Sequence, residues 1–144
     1  MTTTPADRRK QWLFTYGTLR DPEVQQILFG GHRPSEMARL SGWLLCASDE
    51  DGYLFIRPEP TTTVIGAVIE LDATMLAIAD QWEEVPRYQR EKVQVQNADG
   101  TSREAWAYTK RDGHGAIYSG TETSLLDRQT VLAAAELFKR QDHS

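Results

Sequence analysis

Glu83 is the acid of this chain most clearly placed to move a proton. It is the second-last residue of the run ATMLAIADQWEE (residues 73–84), whose apolar residues recur at helical spacing. On a helix turning about 100° per residue, with Ile78 at the origin, Trp82, Met75, Ala79 and Leu76 cover an arc of about 40–160°. Glu83 falls inside that arc at about 140°, whereas Asp80 at about 200° and Glu84 at about 240° fall outside it. Partial desolvation and the negative end of the helix dipole both raise the pKa of a carboxyl so placed. A raised carboxyl suits proton shuttling near neutral pH. The plainer account of the same residue is a glutamate at the edge of the stripe, ion-paired to Arg87 or Arg90.

A second candidate is Tyr16-Gly17-Thr18-Leu19-Arg20, where a strand ends directly before a helix. Backbone N–H groups at such a junction lack intrahelical partners and can hold a carboxylate or a polarised carbonyl oxygen. Gly17 permits close approach of backbone to ligand. A tight strand-to-helix turn explains these residues as simply. Tyr88, Tyr108 and Tyr118 form a third set, each offering an apolar wall and one hydroxyl to a small polar substrate, or else half-buried packing.

Other chemistries lack their residues. His32, His114 and His143 are far apart, and none has companions at zinc-ligand spacing. Gly-x-Gly-x-x-Gly, Walker and Gly-x-Ser-x-Gly signatures are absent from the sequence. Nucleotide cofactors, metal catalysis and Ser-His-Asp hydrolysis are therefore disfavoured. The single Cys46 lies in the apolar run WLLC (43–46) and reads as a core residue.

The elements that must position these residues follow from local signals. Residues 12–16 read as a strand ending at Gly17, and Asp21-Pro22 caps a helix running to Phe29 before Gly30-Gly31. Residues 37–47 read as a strand with a bulge or bend at Gly42. The acidic turn 49–52 leads into strand 53–56; a hairpin explains it better than a cation loop, whose further ligands are missing. TVIGAVIEL (63–71) reads as a buried central strand. Asp72 caps the helix that carries Glu83. Strands 88–96 and 103–108 flank an Asp99-Gly100 turn. Residues 112–120 read as a loop, and Thr123 or Ser124 starts a final helix to Lys139 with Val131, Ala134, Ala135 and Phe138 on one stripe. The expected class is α+β, mostly β, with six or so strands and three helices.

The chain has 144 residues, 40% of them hydrophobic and 26% charged, as in an ordinary globular domain. Residues 1–11 are expected to form a flexible N-terminal tail, 12–140 one domain and 141–144 a C-terminal tail. A net charge of −5 disfavours nucleic-acid binding, and the basic run Arg8-Arg9-Lys10 reads as a solvated lead-in. No stretch has the length of a membrane span. Met1–Pro5 lacks the apolar region of a signal peptide, so a cytoplasmic location is expected.

LFTYGTLR (13–20), VIGAVIEL (64–71), ADQWEEVPRYQREKVQV (79–95) and EAWAYTK (104–110) resemble, in order, segments of the γ-glutamylcyclotransferase family, in its small bacterial and plant AIG2-like branch. The third segment resembles the family's D-x-[FW]-E…Y-x-R…V-x-V pattern. The resemblance implies a small mixed β-barrel with flanking helices and a cofactor-free site. It implies that Tyr16, Gly17, Thr18 and Leu19 form the substrate loop, that Glu83 is the catalytic acid/base, and that Tyr88, Tyr108 and Tyr118 face the substrate. The family usually has glycine directly after that glutamate, where this chain has Glu84. The implied reaction converts a γ-glutamyl amide or peptide to 5-oxoproline and a free amine. A non-catalytic module on the same fold, binding a small ligand or a protein, and an amide hydrolase are the alternatives.

Overall fold

The computed structural model describes residues 10–84, 88–120, 122 and 124–141. Arg8, Arg9, Arg87, Thr123, His143 and most of the two expected tails lie outside the described residues.

Local chemistry sets the first elements. β1 (Gln11–Thr15) leads to a 3-10 turn at Thr18–Arg20, and α1 (Pro22–Phe29) follows. The Asp21 carboxylate accepts the Glu23 N–H at 2.9 Å. Pro22 occupies the first helical position, where its missing N–H costs nothing, and Gly30 ends the helix at a φ of 81°.

β2 (Ser35–Ser48) and β3 (Leu54–Leu71) form a long antiparallel hairpin turned at residues 49–53. Two strands were expected where β3 is one. The register shifts between Ser41 and Trp43, leaving residues 59–62 opposite Gly42 alone. The hairpin therefore bends at the expected Gly42 bulge without breaking. Pro60 falls within that excursion, where no ladder bond is required of it. The run 63–71 is not buried on both faces, because Ile65 is 57% exposed while Val64 and Val68 point inward.

α2 (Ala73–Trp82) starts where the Asp72 carboxylate accepts the Met75 N–H at 2.8 Å. Asp72→Ala should cost about 1 kcal/mol, read as a lowered midpoint in thermal unfolding; an unchanged midpoint would remove the cap from the account. β4 (Gln89–Asn97) and β5 (Ser102–Thr109) pair across the Asp99-Gly100 turn. β6 (Gly115–Ile117), within the expected loop, adds to β2 through Cys46↔Ile117 and its neighbours. α3 (Arg128–Arg140) begins later than expected. The Ser124 hydroxyl is engaged with the backbone of Leu126, and Ser124 bridges Tyr53 as extended chain, so the helix cannot start there.

The sheet order β3-β1-β5-β4-β2 closes through the β2–β3 pairing, giving a five-stranded barrel with β6 appended. Among the described residues only β1 and β5 pair in parallel. This is the α+β barrel with flanking helices that the sequence implied. Alternation divides the core. Phe14, Val64, Val68 and Val95 fill the barrel, while Leu13, Phe55 and Ile69 pack outward beneath the helices. Cys46 belongs to the outer layer, fully buried, and burial raises its thiol pKa.

The helices are pinned at both ends. Arg128 binds Asp21 through two nitrogens at 2.9 and 3.0 Å, and Lys139 Nζ donates to the Leu28 carbonyl at 3.2 Å. α3 therefore lies alongside α1 in the same direction. Among the described residues no helix is long and apolar enough to cross a membrane.

Candidate active site

A cavity of about 270 Å³ opens where β1 gives way to the 3-10 turn. Four parts of the chain meet around it: residues 14–19, the hairpin turn with Asp51 and Tyr53, the end of α2 from Gln81 to Glu84, and the α3 face carrying Ala134, Leu137 and Phe138. Tyr88 and Tyr108 complete the wall. Placement between a barrel mouth and its covering helices is common for small-molecule sites.

Glu83 is the C-cap residue of α2 and lines this cavity, as its position on the helical wheel implied. Arg90, one of its candidate partners, instead binds Asp80, with Nε 2.8 Å from Oδ1 and Nη2 3.3 Å from Oδ2. The Glu83 carboxylate accepts no hydrogen bond among the described residues. Burial pushes its pKa up to about 8, with the charges of Glu84 and Asp51 adding to the shift. A carboxyl in that range is both an adequate base and an adequate acid at neutral pH.

The charge of Glu83 is felt by the surrounding phenols. Burial first, and then Glu83, raises the pKa of Tyr16. Tyr108 is raised by burial, by its hydrogen bond and charge interaction with Asp80, and by Glu83. These phenols stay protonated, and their protons are already committed. Tyr16 donates to the Tyr108 carbonyl at 2.7 Å, Tyr108 to Asp80 Oδ1 at 2.7 Å, and Tyr88 to the Leu54 carbonyl at 3.1 Å. What a phenol oxygen retains in that state is acceptor capacity, suited to an ammonium group.

The turn's own bonds run from Arg20 N–H to the Gly17 carbonyl and from Asp21 N–H to the Thr18 carbonyl, both at 3.0 Å. The amides of Gly17, Thr18 and Leu19 precede them and have no partner within the turn. Gln25, almost wholly buried, holds the Leu19 carbonyl at 2.9 Å and accepts the Arg33 N–H at 2.9 Å. Trp82 packs edge-on against Phe138, with ring centroids 5.6 Å apart, and its indole N–H reaches Thr18 Oγ1.

Of the candidates from sequence, Tyr16, Gly17, Thr18, Leu19, Glu83, Tyr88 and Tyr108 line the cavity together. Tyr118 does not. It follows β6 on the β2 side of the barrel, where its N–H bonds the Leu45 carbonyl and its hydroxyl accepts the Glu122 N–H. Asp51, Tyr53, Trp82 and the α3 wall were missed. Asp51 reads as a turn acid and also acts as one, accepting the Tyr53 N–H at 3.0 Å; nothing local marks its second role. Among the described residues no three His, Cys, Asp or Glu side chains gather as metal ligands.

No curated protein matches the chain. The fold recurs in solved structures. A solution structure from Arabidopsis thaliana superposes with a TM-score of 0.69 at 22% identity, covering 96% of this chain and 83% of the other. A structure titled gamma-glutamyl cyclotransferase gives 0.65 at 15% identity, covering 92% and 99%. An AIG2-like protein from Mus musculus gives 0.60 at 23% identity, covering 83% and 98%. The family model described as "Gamma-glutamyl cyclotransferase, AIG2-like" matches residues 13–127, from β1 to the threshold of α3. The chain thus belongs to the AIG2-like γ-glutamyl cyclotransferase family.

Proposed function

We propose that the protein converts a γ-glutamyl amide or peptide to 5-oxoproline and a free amine, with Glu83 as the acid/base. The observation that carries this reading is the Glu83 carboxyl, raised to about 8 and without a hydrogen-bond donor among the described residues, in the same cavity as the Gly17–Leu19 amides. The substrate brings its own nucleophile. Its α-amine attacks its side-chain carbonyl carbon, a C–N bond closes the five-membered ring, and the C–N bond to the leaving amine breaks.

The protons balance through one carboxylate. The α-ammonium begins with three: one stays on the ring nitrogen and two finish on the departing amine. Glu83 takes each from the attacking nitrogen and returns it to the leaving one, a general-base then general-acid cycle. The tyrosine oxygens accept from the ammonium, and the turn amides hold the α-carboxylate or the developing oxyanion. Folding the extended glutamyl chain into a near-ring conformer supplies up to roughly 7–11 kcal/mol in favourable intramolecular cases.

Mass spectrometry on a mixed panel of γ-glutamyl amides tests the reading. The expected product is 5-oxoproline, the dehydrated ring. Free glutamate in its place would make the protein a hydrolase, and binding without turnover of any amide would make it a binding module.

A further inference from the structure

The described wall of the cavity divides by depth. Tyr16, Thr18, Leu19, Tyr88 and Tyr108 are buried, and they bring hydroxyls and turn amides to its inner end. Tyr53, Trp82 and Phe138 are half-buried, and Leu137 of α3 is 51% exposed, so these four stand toward the mouth. Glu83, half-buried, lies between the two levels. A lone exposed leucine means little. Leu137, however, adjoins Phe138, whose ring meets Trp82 edge-on at 5.6 Å between centroids, and Trp82 immediately precedes Glu83. The mouth is thus an apolar, largely aromatic surface beside the proton shuttle. Its α3 residues lie beyond the family match at 13–127.

The reaction orders a substrate along the same axis. The glutamyl head must reach the buried polar groups, and the leaving nitrogen must stay near Glu83, which returns its protons. Whatever that nitrogen carries therefore extends toward the mouth. Acids stand there too. Asp51 and the exposed Glu84 line the cavity, and after burial the charges of Asp51, Glu83 and Glu84 raise the Tyr53 pKa. A carboxylate on the leaving group would meet like charge. A methylene would meet Leu137 and Phe138 and lose contact with water, which is favourable.

We propose that Tyr53, Leu137 and Phe138 form a subsite for the leaving amine, and that it takes amines with an apolar alkyl or aryl body. This rests on the γ-glutamyl reading above and deepens it. Polar groups at the inner end hold the head of the substrate, and α3 chooses among amides. Leu137 is the specificity-determining residue, since its exposed side chain offers apolar surface to a ligand and contributes little to the core.

The test compares three γ-glutamyl amides that differ only beyond the scissile nitrogen: the methylamide, the butylamide, and an analogue with a carboxylate at the end of the same butyl stem. kcat/KM for amine release is measured on each with wild type, Leu137→Ala and Leu137→Lys. Three added methylenes, about half removed from water, should make the butylamide about tenfold better than the methylamide. The terminal carboxylate should cancel that gain. Leu137→Ala should narrow the butyl-to-methyl ratio to about two- to threefold, and Leu137→Lys should bring the carboxylate-ended amide level with the butylamide or above it. Ratios are the readout because general damage to the fold lowers all three amides together. A wild type indifferent to stem length would overturn the subsite, as would ratios that neither Leu137 variant moves. A wild type that prefers the carboxylate-ended amide would overturn the substrate class. If the wild type releases no 5-oxoproline from any amide, the proposed activity falls instead, and the same ratios, read from Kd by calorimetry, uphold or overturn the subsite. Binding none of the three would remove both.

Discussion

Glu83→Gln should lose 5-oxoproline release by about 10²–10⁴-fold, the range for removing a general acid/base, and at the same time make the protein more stable at high pH. The two effects share a cause. The Glu83 pKa is about 8 in the fold against an ordinary 4.5, so the folded state binds the proton more tightly than the unfolded chain does. That stabilising contribution is complete below about pH 4.5 and is lost as pH rises through 8. At about 1.4 kcal/mol per unit, an ionised Glu83 costs the fold on the order of 3–5 kcal/mol at pH 9. A glutamine carries no charge to desolvate, although its amide would share the shortage of hydrogen-bond partners and give back part of the gain. Urea unfolding should therefore find the variant more stable than wild type at pH 9 and close to it at pH 4. Glu84→Gln, on an exposed residue, should affect turnover far less. Wild-type turnover by Glu83→Gln would remove the acid/base assignment, and equal stability differences at both pH values would show that the fold does not raise the Glu83 pKa.

The same contrast between local and long-range causes explains what could be read in the sequence. Asp21, Pro22 and Gly30 act within one helix, and α1 begins and ends where they say. Glu83 was legible because its direction depends only on helical geometry and its neighbours' polarity. Asp80 was not. The wheel places it outside the apolar arc, and its bonds to Tyr108 and Arg90 come from strands 28 and 10 residues away in the chain. β6 is three residues of Gly-Ala-Ile with no alternation to reveal it, and only the free edge of β2 makes it a strand. The parallel β1–β5 contact that helps close the barrel leaves no local mark either. The stripe on α3 was visible, but not its division of labour. Val131 and Ala135 enter the core, whereas Ala134 and Phe138, with Leu137 beside them, wall the cavity.

The pH profile of the wild type should show Glu84 at work. In the proposed cycle Glu83 accepts the substrate's proton only when ionised, so kcat/KM should fall tenfold per unit below about 8 and stand about a hundredfold below its maximum by pH 6. On the same proposal the alkaline limb should follow the substrate's own amine, which enters the cycle as the ammonium. Glu84 bears on the acidic limb through charge and on the fold through its backbone. It is the only non-glycine residue with positive φ among the described residues, at 57°, in the position after a helix C-cap where glycine is the usual occupant. A side chain there costs about 1–2 kcal/mol. Its carboxylate is the largest cause after burial of the raised Glu83 pKa. Glu84→Gly should lower that pKa by about 0.5–1 unit, displacing the acidic limb downward and making the protein about three- to tenfold faster at pH 6. It should also stabilise the fold by about 1 kcal/mol through relief of the left-handed backbone. Glu84→Gln separates the two, displacing the limb by a similar amount while leaving the strain in place. An acidic limb that stays put in both variants would show that Glu84 does not tune Glu83 by charge. Equal stability of the glycine and glutamine variants would show that the strained backbone is not what Glu84 costs.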